Sequence, residues 1–528
     1  MKPSPRSADT TLPHRPLRLA GGAALALAIA ALIGTLFWSI LHAATGQEAT
    51  GPGPDLGYLI YITTLQATLS TVLSLLAGVA LAWALNRLRF AGRGLLIGLF
   101  ASAIVTPGLV VAFGLLSVWG RAGWLGFANV PIFGLGGVVA AHVILDGAFA
   151  ARILLARLDA IPAARLKTGQ SLALTPWTRF AVIDWPALRG TLPGLAAIIF
   201  LLAFTSFPIV LLLGGGPAVQ TLEIAIYSAV RLDFDLGLAV HLALIQIALC
   251  AAIILASAAL APISASLDRP AEPRWRDAGW ARTAQWVVLA LGVLGFASPL
   301  LATLLDGLAG LGSVLAQPAF WNAVWTSVWI GAASALLTLV LALLIATGRA
   351  AAPSGLVRVL LGAPAYAYLA VPAVTLSLGA FILVRDIGIG PVAAAPAVVV
   401  IANALLSLPF AMATLAPPVE AIARSRGRLI RSLNLGGWRQ FAEIEWPLLA
   451  RDAGLVVALG FCFSLGDLGV IALFGTQDFT TLPLLMVRAL GAYRTHDAAS
   501  IAALMLVLTI AAFVLLPKLI GRLADARA

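Results

Sequence analysis

Apolar runs of about 20 residues recur along the whole chain, and each is long enough to cross a bilayer as a helix. Twelve are separable: 19–43, 58–85, 95–119, 132–155, 191–213, 236–262, 284–305, 323–347, 357–384, 392–415, 453–474 and 498–519. A spanning helix satisfies its own backbone polar groups. A barrel would need alternating segments of about ten residues, and the chain has none of that pattern. The expected fold class is an all-α polytopic membrane protein with twelve transmembrane helices.

Composition agrees with the pattern. Of 528 residues, 61% are hydrophobic and 10% charged, against about 25% charged in a soluble globular chain. The net charge of +11 would point to nucleic acid in a soluble domain. Here the basic residues sit between the spans, so they orient the chain instead, and no nucleic-acid partner is expected. With a cytoplasmic N-terminus, only Arg121, Arg231, Arg385, Arg488 and Arg494 of the 33 Lys and Arg fall on the outer side. Both termini are then cytoplasmic. The first run follows Arg15 and Arg18 and is too long for a signal-peptide core, so it reads as a retained span. Cys250 and Cys462 lie inside apolar runs and suggest neither a disulfide framework nor a zinc site.

One polar phrase occurs twice. FAVIDWPAL (180–188) and FAEIEWPLL (441–449) are related by a constant offset of 261 positions. At that offset Trp177 matches Trp438, Asp184 matches Glu445, Pro186 matches Pro447, Asp159 matches Glu420, His142 matches Asn403 and Gly214 matches Gly475. Both copies have the same predicted orientation, which makes this a parallel repeat about an axis along the membrane normal. The chain then divides into a first half, 1–264, a polar cytoplasmic linker, 265–283, and a second half, 284–528. Each half holds six helices, as in a dimer fused head to tail, with the pathway expected between the halves.

The repeated phrase lies in the two longest and most basic cytoplasmic loops, 156–190 and 416–452. Each reads as two short helices separated by a turn. Asn434, Gly436 and Gly437 mark the turn in the second loop, and Pro176 starts a helix in the first. A solvated headgroup-facing connection would explain one such loop. Two, in matching places, suggest two equivalent cytoplasmic partners.

At this point the chain resembles the fused permease subunits of binding-protein-dependent ABC importers. Their coupling loop carries Glu-Ala-Ala, three residues, then Gly, and ends in a hydrophobic-x-x-Pro phrase. Counting back from Pro186 places the Gly at Ala173 and the Glu-Ala-Ala at Lys167, Thr168 and Gly169. Counting back from Pro447 gives Asn434 and Arg428, Leu429 and Ile430. The spacing fits, while the acid is twice replaced by a base and the Gly twice lost. Asn434 accepts a left-handed backbone readily, Ala173 less so. The phrases FGLLSVWGRAGWL (113–125), LGGGPAVQTLEIAIY (213–227), LALIQ (242–246), LAQPAFWNAVWTS (315–327) and LGDLGVIALFGTQDFTTLP (465–483) are similar to the thiamine and thiamine-pyrophosphate permeases of Gram-negative bacteria. Iron and sulfate permeases share the architecture and supply the rival substrates, ferric iron or another small solute.

The resemblance implies a type I ABC importer permease fold in the bacterial inner membrane. It also implies two copies of a separate ATPase subunit, which bind the ATP and magnesium, and a periplasmic binding protein on the outer face. Lys167, Thr168, Gly169, Ala173, Trp177 and Pro186, with Arg428, Leu429, Ile430, Asn434, Trp438 and Pro447, become the ATPase-coupling residues. The chain itself carries no G-x-x-x-x-G-K-[ST] phosphate loop, since none of Lys2, Lys167 and Lys518 follows a glycine. It has no H-E-x-x-H, no Cys/His cluster and no G-x-S-x-G elbow, so no catalytic residue, metal ligand or cofactor of its own is expected.

Ionisable residues inside spans are costly and are functional candidates by default. Asp467 lies in the eleventh run, with Ser206 as its counterpart. A carboxylate there suits a thiazolium cation, and Phe207 and Phe463 offer rings for stacking. A packing or gating role for Asp467 is the alternative. Asp146 and His142 stand four apart on one helix face and are expected to pair with each other. A proton-coupled secondary transporter, also often built of two six-helix halves, is the rival from another class.

Overall fold

The structure is a computed structural model that describes residues 15–46, 53–216, 219–257, 275–368 and 371–525. The predicted linker 265–283 is therefore described only from residue 275 onward. All regular elements among the described residues are helical. In chain order they are α1 (Arg15–Gly46), α2 (Leu56–Arg87), α3 (Arg93–Ser102), α4 (Gly108–Trp119), α5 (Leu135–Asp159), α6 (Ala163–Ser171), α7 (Pro176–Arg179), α8 (Trp185–Leu188), α9 (Leu192–Phe204), α10 (Pro208–Leu213), α11 (Leu222–Arg231) and α12 (Leu236–Ser257). There follow α13 (Trp280–Ala309), α14 (Leu311–Leu315), α15 (Pro318–Ala350), α16 (Gly355–Ala367), α17 (Ala373–Asp386), α18 (Pro391–Ser432), α19 (Gly437–Gln440), α20 (Trp446–Gly466), α21 (Gly469–Phe474), α22 (Leu482–Gly491) and α23 (Thr495–Asp525).

Nine helices among the described residues are long and apolar enough to cross a membrane. The chain is thus a polytopic helical membrane protein. The nine fall on nine of the twelve apolar runs. The helix on run 453–474 ends at Gly466, and that run breaks at Asp467 between α20 and α21. The other three runs are interrupted at prolines, 95–119 between α3 and α4, 191–213 between α9 and α10, and 357–384 between α16 and α17. Each interruption carries a proline at the start of the second helix: Pro107, Pro208 and Pro372. Proline donates no hydrogen bond and suits a helix start, so the second helix opens there. It does not by itself end the first, since Phe207 before Pro208 keeps helical angles and α18 runs unbroken through Pro396, Pro409, Pro417 and Pro418. A 64° bend separates 176–188 from α9, and counting that pair as one span would bring the total to ten.

The chain folds as two compact units. One holds Met1–His42, Val324–Phe479 and Leu508–Ala528, and the other Ala43–Ala323 and Thr480–Val507. Unit membership does not follow chain order: most of α1 belongs with second-half helices, and α13 with first-half helices.

Small residues let the helices approach. Lipid tails are as apolar as leucine, so membrane helices associate through close packing rather than water exclusion. In the first-half unit α2 lies along α5, and a Cβ built on Gly78 would come 2.5 Å from Ala150 Cβ. In the other unit α1 meets α15 where a Cβ on Gly22 would come 2.9 Å from Gly348 Cα. His142 Nδ1 and Asp146 Oδ2 lie 3.1 Å apart on α5, the pairing expected from their spacing.

Candidate functional site

The two repeated loops fold alike from matching local chemistry. α6 ends with the Leu174 N–H bonded to Gly169 O at 3.3 Å and the Ala173 N–H to Gln170 O at 3.0 Å. α18 ends with Leu435 N–H on Ile430 O at 3.1 Å and Asn434 N–H on Arg431 O at 3.1 Å. Both are Schellman closures, whose penultimate residue must take a left-handed backbone. That residue is Ala173 (φ 48°) in one loop and Asn434 (φ 47°) in the other. These are the two positions at which the importer motif carries glycine. Left-handed angles cost an alanine about 1–2 kcal/mol and an asparagine less. Ala173→Gly is therefore expected to stabilise the folded protein by about 0.5–1 kcal/mol after the greater flexibility of unfolded glycine is counted. Asn434→Gly should be close to neutral, with thermal unfolding of the two variants as the comparison.

The expected turn between two helices is present in both loops, but only in the first loop is the leading helix short. Pro162 separates α5 from α6, whereas its counterpart Ala423 lets the spanning helix and the loop helix run on as one 42-residue α18.

Beyond each turn a short helix leads into one turn of π-helix, Phe180–Asp184 and Phe441–Glu445, and then into the Trp-Pro pair. The wider turn follows from the proline. Pro186 has no N–H to return to Val182 O, and Trp185 N–H instead reaches back five residues to Phe180 O. The freed Val182 carbonyl accepts from Arg165 Nη2 at 2.7 Å. Trp446 N–H makes the same five-residue bond to Phe441 O.

The outward faces also match. Trp177 is 73% exposed and Trp438 76%, each with its ring beside a phenylalanine, Phe180 at 6.2 Å and Phe441 at 5.5 Å. Lys167, Thr168 and Ala173 are exposed, as are Arg428, Leu429 and Asn434, while Pro186 and Pro447 are half-buried. Gly169 and Ile430 face inward. The space beside Gly169 is filled by Ile183 and Trp275, which a Cβ would meet at 2.6 and 2.9 Å. At the matching place Ile430 fills its own space, among Ala423, Ala350, Leu435 and Ile444.

Beneath each face lies a buried acid, which must be paired to be tolerated. Asp184 accepts from Arg87 Nη2 at 2.6 Å, with both side chains almost wholly buried, and Arg179 Nε stands 3.6 Å from its second oxygen. Arg87 also donates to Asn86, which donates to Asp159. Arg179 in turn makes a two-pronged contact with Asp277, which accepts from Gln285 Nε2 at 2.6 Å as well. Burial would push the Asp277 carboxyl up, but the Arg179 hydrogen bonds and charge, aided by Gln285 and Arg87, hold it below the ordinary carboxylate value. In the second loop Glu445 accepts from Arg18 Nη1 at 2.7 Å and Nη2 at 3.0 Å, and from Gln440 Nε2 at 2.7 Å.

Sequence reasoning noted Arg18 only as a residue flanking the first span and did not single out Arg87, Trp275 or Asp277. The available signal was the presence of Asp184 and Glu445 within a largely apolar phrase, since a buried acid demands a cation.

Three of the four candidate pathway residues sit at helix breaks, one break in each unit, and Phe463 lies inside α20. Ser206 and Phe207 separate α9 from α10, and Phe207 packs on Tyr227 at 5.2 Å. Asp467 separates α20 from α21, and its Oδ1 accepts from Val470 N–H at 3.3 Å. Phe463 packs on Phe410 at 4.9 Å. Both phenylalanines thus have aromatic neighbours within their own units.

No family model matches the chain. Curated relatives do. It is 35% identical over 492 residues to the thiamine transport system permease protein ThiP of Salmonella typhimurium, covering 88% of this chain and 90% of that protein. It is 35% identical over 486 residues to ThiP of Escherichia coli and over 509 residues to ThiP of Brucella melitensis, the latter covering 93% of each chain. The molybdenum transport system permease protein ModB of Azotobacter vinelandii is 30% identical over 174 residues, 32% of this chain. A similarity that runs along almost the whole of both chains, loops and spans together, places this chain in the family of thiamine transport system permeases.

Proposed function

We propose that this chain is the permease subunit of an ATP-driven importer that moves thiamine or its phosphates across the bacterial inner membrane. The observation that carries the reading is the pair of matching basic loops in a chain similar over about nine-tenths of its length to thiamine permeases. The finer architecture belongs to the proposal. It is twelve spans of the type I importer fold, with the three proline-interrupted runs each counted once, in two homologous halves 1–264 and 284–528. Both termini lie in the cytoplasm.

Two copies of an ATPase subunit, which hold the ATP and magnesium, each seat one loop. They contact the ridge formed by Lys167, Thr168, Ala173 and Trp177 in one loop, and Arg428, Leu429, Asn434 and Trp438 in the other. Gly169, Pro186, Ile430 and Pro447 set the shape of that ridge from beneath. A periplasmic binding protein delivers substrate to the outer face. Closure of the ATPase pair then moves both loops, which requires loop contacts that differ between the open and closed states. Asp467 and Ser206, each at a helix break of its own unit, with Phe463 and Phe207 respectively beside them, are the candidates for contact with the cation. Broken helices supply such sites because their free backbone ends face polar cargo.

The test is reconstitution in vesicles with the ATPase and the binding protein. Thiamine-loaded binding protein should stimulate ATP hydrolysis, and uptake should require ATP and survive an uncoupler. Uptake by the permease alone, or uptake abolished by the uncoupler with ATP still present, would instead establish a secondary transporter. Stimulation by ferric iron or molybdate in place of thiamine would reassign the cargo.

A further inference from the structure

Arg18 stands near the start of α1, and Asp277 three residues ahead of Trp280, the first residue of α13. Adding the repeat offset to Arg18 lands on position 279, two residues from Asp277. These are matching places: Arg18 opens the first long helix of the first half, and Asp277, in the predicted linker, leads into that of the second. Each reaches the coupling loop of the other sequence half, and does so within one compact unit.

The polarity is inverted between the two contacts. In one, the helix start supplies the base (Arg18) and the loop the acid (Glu445). In the other, the helix start supplies the acid (Asp277) and the loop the base (Arg179), at the position matching Gln440. Trp275 completes the second contact by lying over the Arg179 guanidinium, 4.9 Å from its carbon, and against Gly169. The charges differ while the connection is kept, so the connection itself is the common feature.

A buried ion pair is a poor source of net stability, because desolvation offsets most of its attraction, but it fixes one geometry against others. Both contacts lie beneath the loop and leave the ridge with Trp177 or Trp438 free. We propose that Arg18 and Asp277 are positioning residues that clamp the coupling loops to α1 and α13, so that loop movement is transmitted into those helices. The proposal rests on the importer reading for what drives the loops, but the clamp itself is measurable without it.

Two readouts separate the cases. In the isolated permease, R18E should raise amide hydrogen exchange across residues 436–446 at least tenfold, and the double reversal R18E/E445R should return it to within about threefold of the parent. In the reconstituted complex, R18E and D277N should keep ATPase subunit binding and basal hydrolysis while losing at least tenfold of receptor-stimulated hydrolysis and uptake. R18K and the double reversal should restore both. If R18E does not accumulate, R18Q replaces it, with the same loss expected. Unchanged exchange in 436–446 with R18E, or with R18Q in its place, overturns the clamp. Raised exchange with normal coupled uptake overturns its role in transmission. Absence of stimulation in the parent complex would fault the importer reading and leave the exchange result to decide the clamp.

Discussion

Replacing Asp184 with asparagine is expected to destabilise the first-half unit by about 3–5 kcal/mol, the usual cost of removing one partner from a buried ion pair. The change leaves Arg87 and Arg179 buried together with Asp277 as the acid still in direct contact, on Arg179. The equivalent Glu445→Gln should cost less, because Arg18 retains some exposure, at 15%, and can turn toward water. The two buried free cysteines make the measurement local, since Cys250 lies in one unit and Cys462 in the other. With Cys462→Ser as background, a thiol-reactive dye reports unfolding at Cys250. With Cys250→Ser it reports at Cys462. Asp184→Asn should lower the temperature of Cys250 labelling well below the parent value and move Cys462 labelling much less. An unchanged Cys250 transition would mean that Arg87 and Arg179 find other partners and that the network is not the keystone of that loop.

Changing Trp177 and Trp438 together to alanine should leave the permease folded and strip it of its ATPase partner. Both indoles are three-quarters exposed, so the fold loses little when they go. An interface tryptophan that becomes buried on binding is commonly worth about 2 kcal/mol, or about 30-fold in affinity. Removing one should weaken ATPase binding by about that factor. Removing both, one from each loop, should leave no complex in detergent at micromolar protein. Titrating labelled ATPase subunit against permease in nanodiscs reads the effect directly, and the dye assay at Cys250 and Cys462 checks the fold. Full-strength binding by the double variant would mean that these rings serve the lipid headgroups instead, where tryptophan is also favoured.

The repeated loops were the most legible part of the molecule. Turn chemistry acts over five or six residues, so the Asn434 turn could be read from its own neighbourhood, and Ala173 follows it into a left-handed backbone despite the cost. The resemblance to the importer motif, counted back from Pro186 and Pro447, put its glycine position at both residues. The interrupted spans were less legible. Their runs are apolar enough to cross in one piece, and the hydropathy pattern outweighs one proline in a window of about 20 residues. The second helix of each pair starts at or just after Pro107, Pro208 or Pro372, yet α18 runs unbroken through four prolines, so a proline in an apolar run does not by itself reveal a break.

By itself the sequence determined that this is a helical membrane chain, that a stretch of it is duplicated, and where the two exposed ridges lie. Those properties are set by the solvent each residue prefers and by bonds between near neighbours. Only the tertiary structure decided that α1 folds with second-half helices and α13 with first-half helices, and that Arg18 meets Glu445 and Asp277 meets Arg179. Hydropathy cannot choose a neighbour in a bilayer, since another helix and a lipid tail look alike to an apolar side chain. That choice is made by shape at small residues and by a few buried charges whose partners lie 98 and 427 positions away.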